Sequence, residues 1–121
     1  MAENRSHLKV RKSDGINIVE FSDRKILEEI SIAEIGDELK SLVDANPSIQ
    51  LLVSFKNVEH LSSAALGMLI NLNNSVSNRS GKLKLSDITP QIFEVFKITR
   101  LNKLFHICDT AEQAMSAFGT S

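Results

Sequence analysis

Two adjacent hydroxyls, Ser62 and Ser63, stand where a short apolar run gives way to a stretch of helical period. The run Leu51-Leu52-Val53-Ser54-Phe55 is partly β-branched or aromatic, the pattern of a strand buried on both faces. Lys56-Asn57 and then Val58-Glu59-His60-Leu61 lead to the serines. Beyond them Ala65, Leu66, Leu69, Ile70 and Val76 fall on one side of a helix, and Gly81 after Arg79-Ser80 supplies a stop. The serines thus mark a helix N-terminus, where backbone N–H groups lack intrahelical partners and the macrodipole is positive. By residue type alone the pair reads as a plain helix cap. The same position also accommodates an anion, so a phosphoryl group there would not damage the fold.

The other reactive residues form no catalytic or metal-binding pattern. His7, His60 and His106 belong to unrelated elements, and neither H-x-x-x-H nor C-x-x-C spacing occurs. His60 precedes Ser63 by three residues, but no G-x-S-x-G elbow surrounds the serine. Gly15, Gly36, Gly67, Gly81 and Gly119 are scattered and make no phosphate loop. Cys108 sits in an apolar setting and reads as a small core residue; as the single cysteine it forms no internal disulfide and suits a reducing compartment. The expectation is a protein that is not an enzyme and takes no metal or cofactor.

Composition narrows the partners. Lys+Arg 14 against Asp+Glu 15 leaves a net charge of −1, without a bulk pull toward nucleic acid or anionic membrane. Basic residues near the start (Arg5, Lys9, Arg11, Lys12) are interrupted by Glu3 and Asp14. Six Phe with no Trp or Tyr offer little for stacking bases or sugars. The opening MAENRSHLKV has no apolar h-region, and no run approaches a membrane span. A cytoplasmic protein without membrane insertion is expected.

The elements that must position the serines follow from periodicity. Residues 1–6 are expected to be loose. His7–Arg11 and Ile16–Phe21 alternate in character around Asp14-Gly15, a hairpin signal. The stretch Ser22–Ile30 has no clear period. Ser31-Ile32-Ala33-Glu34 has capping-box spacing, and Ile32, Ile35, Leu39, Leu42 and Val43 give a helical stripe ending near Asn46-Pro47. After the central strand and helix, Lys82–Leu85 reads as a strand, and Thr89-Pro90 opens a helix facing inward through Ile92, Phe93, Val95 and Phe96. Leu101, Leu104 and Phe105 continue the core, Phe105–Cys108 is an edge strand, and Asp109-x-x-Glu112 caps a last helix with Ala114, Met115 and Phe118 inside and Gly119 closing it. The order β-β-α-β-α-β-α-β-α predicts one α/β domain over 1–121, with about five strands in a mixed, mostly parallel sheet and about four helices. The helix after the serines is polar but nearly uncharged outside (Asn71, Asn73, Asn74, Ser75, Ser77, Asn78), which favours a contact surface over a solvated one.

At the level of motifs the chain resembles the STAS domain proteins, the anti-sigma factor antagonist family. Leu61-Ser62-Ser63-Ala64-Ala65-Leu66-Gly67-Met68-Leu69 is similar to that family's D-S-[ST]-G-L-G loop and helix. Gly81-Lys82-Leu83-Lys84-Leu85, then Pro90-Gln91-Ile92 and Leu101-Asn102-Lys103-Leu104-Phe105, resemble its next strand and its L-x-x-L-F segment. Asp109-Thr110-Ala111-Glu112-Gln113-Ala114 resembles its last capped helix, so the likeness runs from about Leu8 to Phe118. Two positions depart from the pattern: Ser62 stands where the family usually has Asp, and Ala65 where it usually has Gly.

The resemblance implies a STAS-like fold and a switchable binding module. Ser63 takes the family's phosphorylated position, with Ser62 as the alternative, and Asp23 matches the acidic residue that many members carry near that loop. It implies a partner surface of Asp23, His60, Ser62, Ser63, Ala64 and Met68. The unphosphorylated protein would bind an anti-sigma factor of the histidine-kinase-like ATPase type and free a sigma factor. That partner would act as the serine kinase, and a serine phosphatase would reverse it. A STAS scaffold or dimerisation module without phosphorylation is the alternative.

Overall fold

The computed structural model describes residues 7–119. The loose start expected for residues 1–6 lies outside that range. β1 (Leu8–Ser13) and β2 (Ile16–Phe21) pair antiparallel across Asp14-Gly15. Both turn residues have positive φ, 52° and 79°, the geometry a two-residue hairpin needs and the reason Asp-Gly serves there. β4 (Gln50–Ser54), β6 (Lys82–Ser86) and β7 (His106–Cys108) extend the sheet in parallel, giving the order β1-β2-β4-β6-β7. A separate parallel pair, β3 (Lys25–Ile26) with β5 (His60–Leu61), flanks it.

Four helices cover the sheet unequally. α1 (Glu29–Ala45), α2 (Ser63–Asn78) and α3 (Pro90–Ile98) contribute to one apolar cluster with Val19, Phe21, Leu51, Val53 and Leu85. α4 (Ala111–Gly119) covers the other face, where Ala114 and Phe118 meet Ile16, Ile18 and Leu52. The alternation of Leu51, Leu52 and Val53 between these clusters is the period-2 pleat of a strand buried on both sides. The phenylalanine-only aromatic content also finds its use here. Phe21, Phe55, Phe96 and Phe105 form a chain of ring contacts at 5.2, 6.4 and 5.9 Å, tying β2 to α3 and to the approach to β7. On the α4 face Lys84 is buried, its Nζ 2.7 Å from His106 Nδ1 and 5.1 Å from the centre of the Phe118 ring.

The helix limits both agree with and correct the sequence reading. α3 begins as expected, Thr89 Oγ1 accepting from the Ile92 N–H with Pro90 at the first position. α1 starts two residues before Ser31, at Glu29 after Glu28, and no side chain caps it. The Ser31-x-x-Glu34 box does not form, because Ser31 lies inside the first turn of α1 and not ahead of it; Glu34 meets His7 instead. The last helix is capped one residue later than expected: Thr110 Oγ1 accepts from the Gln113 N–H, and Gln113 reaches back to the Asp109 N–H. Leu104, expected in the core, is 45% exposed, while Phe105 beside it is buried. Gly81 follows α2 as expected, but its φ is not the reason. A Cβ there would stand 2.6 Å from the Ile49 carbonyl oxygen, and the positive φ falls on Ser80. Among the described residues no helix is long and apolar enough to cross a membrane, and no group of three His, Cys, Asp or Glu could hold a metal ion.

Candidate functional site

The loop after β4 carries the chain past the carboxyl ends of the parallel strands before α2 begins. Phe55 donates its N–H to the Ser86 carbonyl, which fixes the loop's start, and Val58 donates back to Phe55. Phe55 and Val58 are fully buried, so the loop is anchored from below. Its far side is held by the segment ahead of α1. Glu59 and His60 both donate N–H groups to the Arg24 carbonyl, at 2.7 and 3.2 Å, and Ser62 donates to the Ile26 carbonyl at 3.1 Å. The two-residue strands β3 and β5 are therefore a strap that presents Ser62 and Ser63.

At the helix start the two serines divide the work. Ser62 is extended (φ −86°, ψ 168°) and its Oγ accepts from the Ala65 N–H at 3.2 Å, the bond of an N-cap. Its carbonyl accepts from the Leu66 N–H, opening the helical ladder. Ser63 is the first helical residue and is exposed. The Ser63 and Ala64 N–H groups lie in the first turn, outside the helix's own ladder. No acidic residue occupies that turn. The first turn of α2 thus carries one exposed hydroxyl and no carboxylate of its own, a place where added negative charge is favourable.

The other sequence-named residues fall into two groups. Ala64, exposed, and Met68, half-buried, line a groove of about 690 Å³ between α1 and α2, together with Gly36, Asn71, Asn74 and Asn78. Met68 packs across Gly36, where an added Cβ would lie 3.3 Å from its Cγ, so the small residue lets the helices approach. Leu66 and Leu69 are buried, leaving Met68 as the one of that trio toward the surface. His60 is exposed on β5, on the strap rather than the helix. Asp23 lies just ahead of the strap, and its carboxylate is taken by His7 Nδ1 at 2.9 Å. His7 also meets Glu34 of α1, 2.7 Å from its Nε2. These carboxylates raise the His7 pKa above its ordinary value, Glu34 contributing most and Asp23 next. Neither His7 nor Glu34 is marked in the sequence as part of a site, since residues 7, 23 and 34 share no local pattern. Cys108, read as a core residue, is partly buried against the α4 cluster.

The fold and the chain have counterparts among known proteins. Over 94% of this chain and 96% of its own length, a Bordetella bronchiseptica protein named as an anti-sigma factor antagonist, BtrV, is 24% identical. The solved structure of an anti-sigma-factor antagonist (STAS) domain protein from Planctomyces limnophilus superposes with a TM-score of 0.83 at 16% identity, covering 94% of this chain and 98% of that one. The Bacillus cell fate determinant SpoIIAA, solved in its phosphorylated form, gives a TM-score of 0.69 at 12% identity over 92% of this chain and 98% of that one. Those structural likenesses carry the fold: a five-stranded mixed sheet with four helices. The family model for the STAS domain matches residues 7–114, from His7 through the first half of α4, and the chain belongs to the STAS domain family.

Proposed function

We propose that this protein is an anti-sigma factor antagonist whose docking is switched by phosphorylation of Ser63. One observation supports the reading most: the Ser63 hydroxyl is exposed at the first position of α2, on a helix start that has its own separate cap and no acidic residue. In this reading an anti-sigma factor of the histidine-kinase-like ATPase type packs on Ser62, Ser63, Ala64 and Met68, with His60 on the strap and Asp23 just ahead of it at the side. Binding releases a sigma factor and so regulates transcription in a bacterial cytoplasm. The partner's ATP then gives its γ-phosphoryl group to Ser63 Oγ, the hydroxyl proton leaves, and ADP departs. The new group carries about −1.5 to −2 charges at neutral pH and is met by free N–H groups, so the core is undisturbed while the docking face becomes negative. A serine phosphatase delivers water to the phosphoester and returns the hydroxyl with inorganic phosphate. The chain itself performs no catalysis in this cycle.

The uncharged asparagine face of α2 along the α1–α2 groove supports a second reading, a scaffold or dimerisation module that is never phosphorylated. Incubation with candidate ATPase partners and ATP, followed by mass-spectrometric mapping, separates the two. Phosphate on Ser63 is expected. Phosphate confined to Ser62 moves the acceptor by one residue, and a chain that stays unmodified with a partner it demonstrably binds favours the scaffold.

A further inference from the structure

We propose that His7 is a proton-gated clamp: as an imidazolium it ties the segment ahead of β3 to α1, and so holds the strap that presents the Ser62–Ser63 loop. Both ring nitrogens face carboxylates within hydrogen-bond distance, Asp23 Oδ2 at 2.9 Å and Glu34 Oε1 at 2.7 Å. Only the protonated ring has two N–H donors; the neutral ring presents a lone pair to one of the two carboxylates. On deprotonation one bridge must open. Whichever opens, the connection is cut, because it runs from Asp23 through the ring to Glu34.

The clamp is continuous with the site. The His7 carbonyl accepts from the Ser22 N–H at 2.8 Å, so backbone and side chain both grip the segment that enters β3. Asp23 is followed directly by Arg24, whose carbonyl receives the Glu59 and His60 N–H groups, and then by Ile26, whose carbonyl receives that of Ser62. Arg24 just ahead of the strap, Lys25 on it and Glu28 from the start of α1 line the same hollow as His7 and Asp23, while Asp37 and Glu38 lie further along α1 beside Leu8 and Val10. The carboxylates that touch the ring raise its pKa above 6.5. A raised histidine pKa stabilises the folded state fully below the unfolded value and loses that contribution as pH rises through the folded value. Acid therefore closes the clamp and mild alkali releases it, within the range where histidine serves as a physiological switch.

The clamp does not depend on Ser63 being phosphorylated; only its consequence for that residue rests on the proposed function. The test therefore reads the strap and needs no kinase. NMR follows the His7 ring from about pH 5.5 to about pH 8.5 while hydrogen exchange gives protection factors for the Glu59, His60 and Ser62 amides. His7 is expected to titrate above 6.5, with protection at those three amides falling severalfold across the transition. His7→Gln should show the lowered protection at every pH. Glu34→Gln, which changes only a mostly exposed carboxylate, should lower both the midpoint and the protection, and it keeps the test informative should His7→Gln not fold. A His7 midpoint at or below 6.5, or protection that does not change through the His7 transition, overturns the proposal.

Discussion

α2 and α3 begin with the same construction and differ at one position. In each, an extended hydroxyl residue accepts from the N–H three residues on: Ser62 from Ala65 at 3.2 Å, Thr89 from Ile92 at 3.3 Å. Neither helix has an acidic residue in its first turn. At the first helical position α3 has Pro90 and α2 has Ser63. Proline fits there because the N–H it lacks would have no intrahelical partner and its φ is already helical. Serine has no such structural advantage, since the capping bond belongs to its neighbour. The difference separates a helix start whose first position adds stability from one whose first position leaves an exposed hydroxyl over.

Substitutions at these two starts can break or sharpen that contrast. The largest effect is expected from Ser63→Asp. Fixed negative charge at the docking face should weaken partner binding about 100-fold, about 2.7 kcal/mol, by calorimetry. Stability should hold or rise by about 0.3–1 kcal/mol, because an acid suits the helix's positive end. A domain that unfolds instead would show that Ser63 is structural and not a surface switch. Next come the caps. Ser62→Ala and Thr89→Ala should each lower unfolding free energy by about 1 kcal/mol in urea titrations. Thr89→Ala should leave partner affinity as it was. Ser63→Pro makes α2 open as α3 does. Ser62 already has the extended backbone that a following proline requires, so the variant should fold, gain about 0.4–1 kcal/mol, and accept no phosphate at that position. Smallest is Ser63→Ala, within about 0.5 kcal/mol of the parent in stability and able to bind a partner that can no longer be dislodged by ATP.

What the sequence disclosed, and what it concealed, follows from the range of the forces involved. The hairpin at Asp14-Gly15, the Thr89-Pro90 helix start and the double burial of Leu51–Val53 were legible because each is written in neighbouring residues. The stripe of Ile32, Ile35, Leu39 and Val43 was legible for the same reason, and so was its end, where Asn46 bonds back to Leu42 and Val43. The strap was not. Two-residue strands are too short to show a period, and Lys25–Ile26 meets His60–Leu61 only in three dimensions. The Ser31-x-x-Glu34 spacing misled because the helix reaches back to Glu29 and takes Ser31 into its first turn. Leu104 and Phe105 both looked like core, yet at the turn after Leu101–Lys103 only Phe105 is buried and Leu104 is left exposed. At the site, motif likeness drew attention to Ser63. Which serine is the cap and which is left over required the backbone geometry.

The borders of the sheet have a consequence for crowding. Every open β-sheet offers bare backbone groups at its two margins, and a second molecule can zip onto them. Here one margin is β7, three residues long, and the other is β1, which carries Lys9, Arg11 and Lys12. A copy approaching β1 sideways would bring cations against cations, and one approaching β7 would find too few groups to hold. Lateral polymerisation is thereby discouraged at both ends.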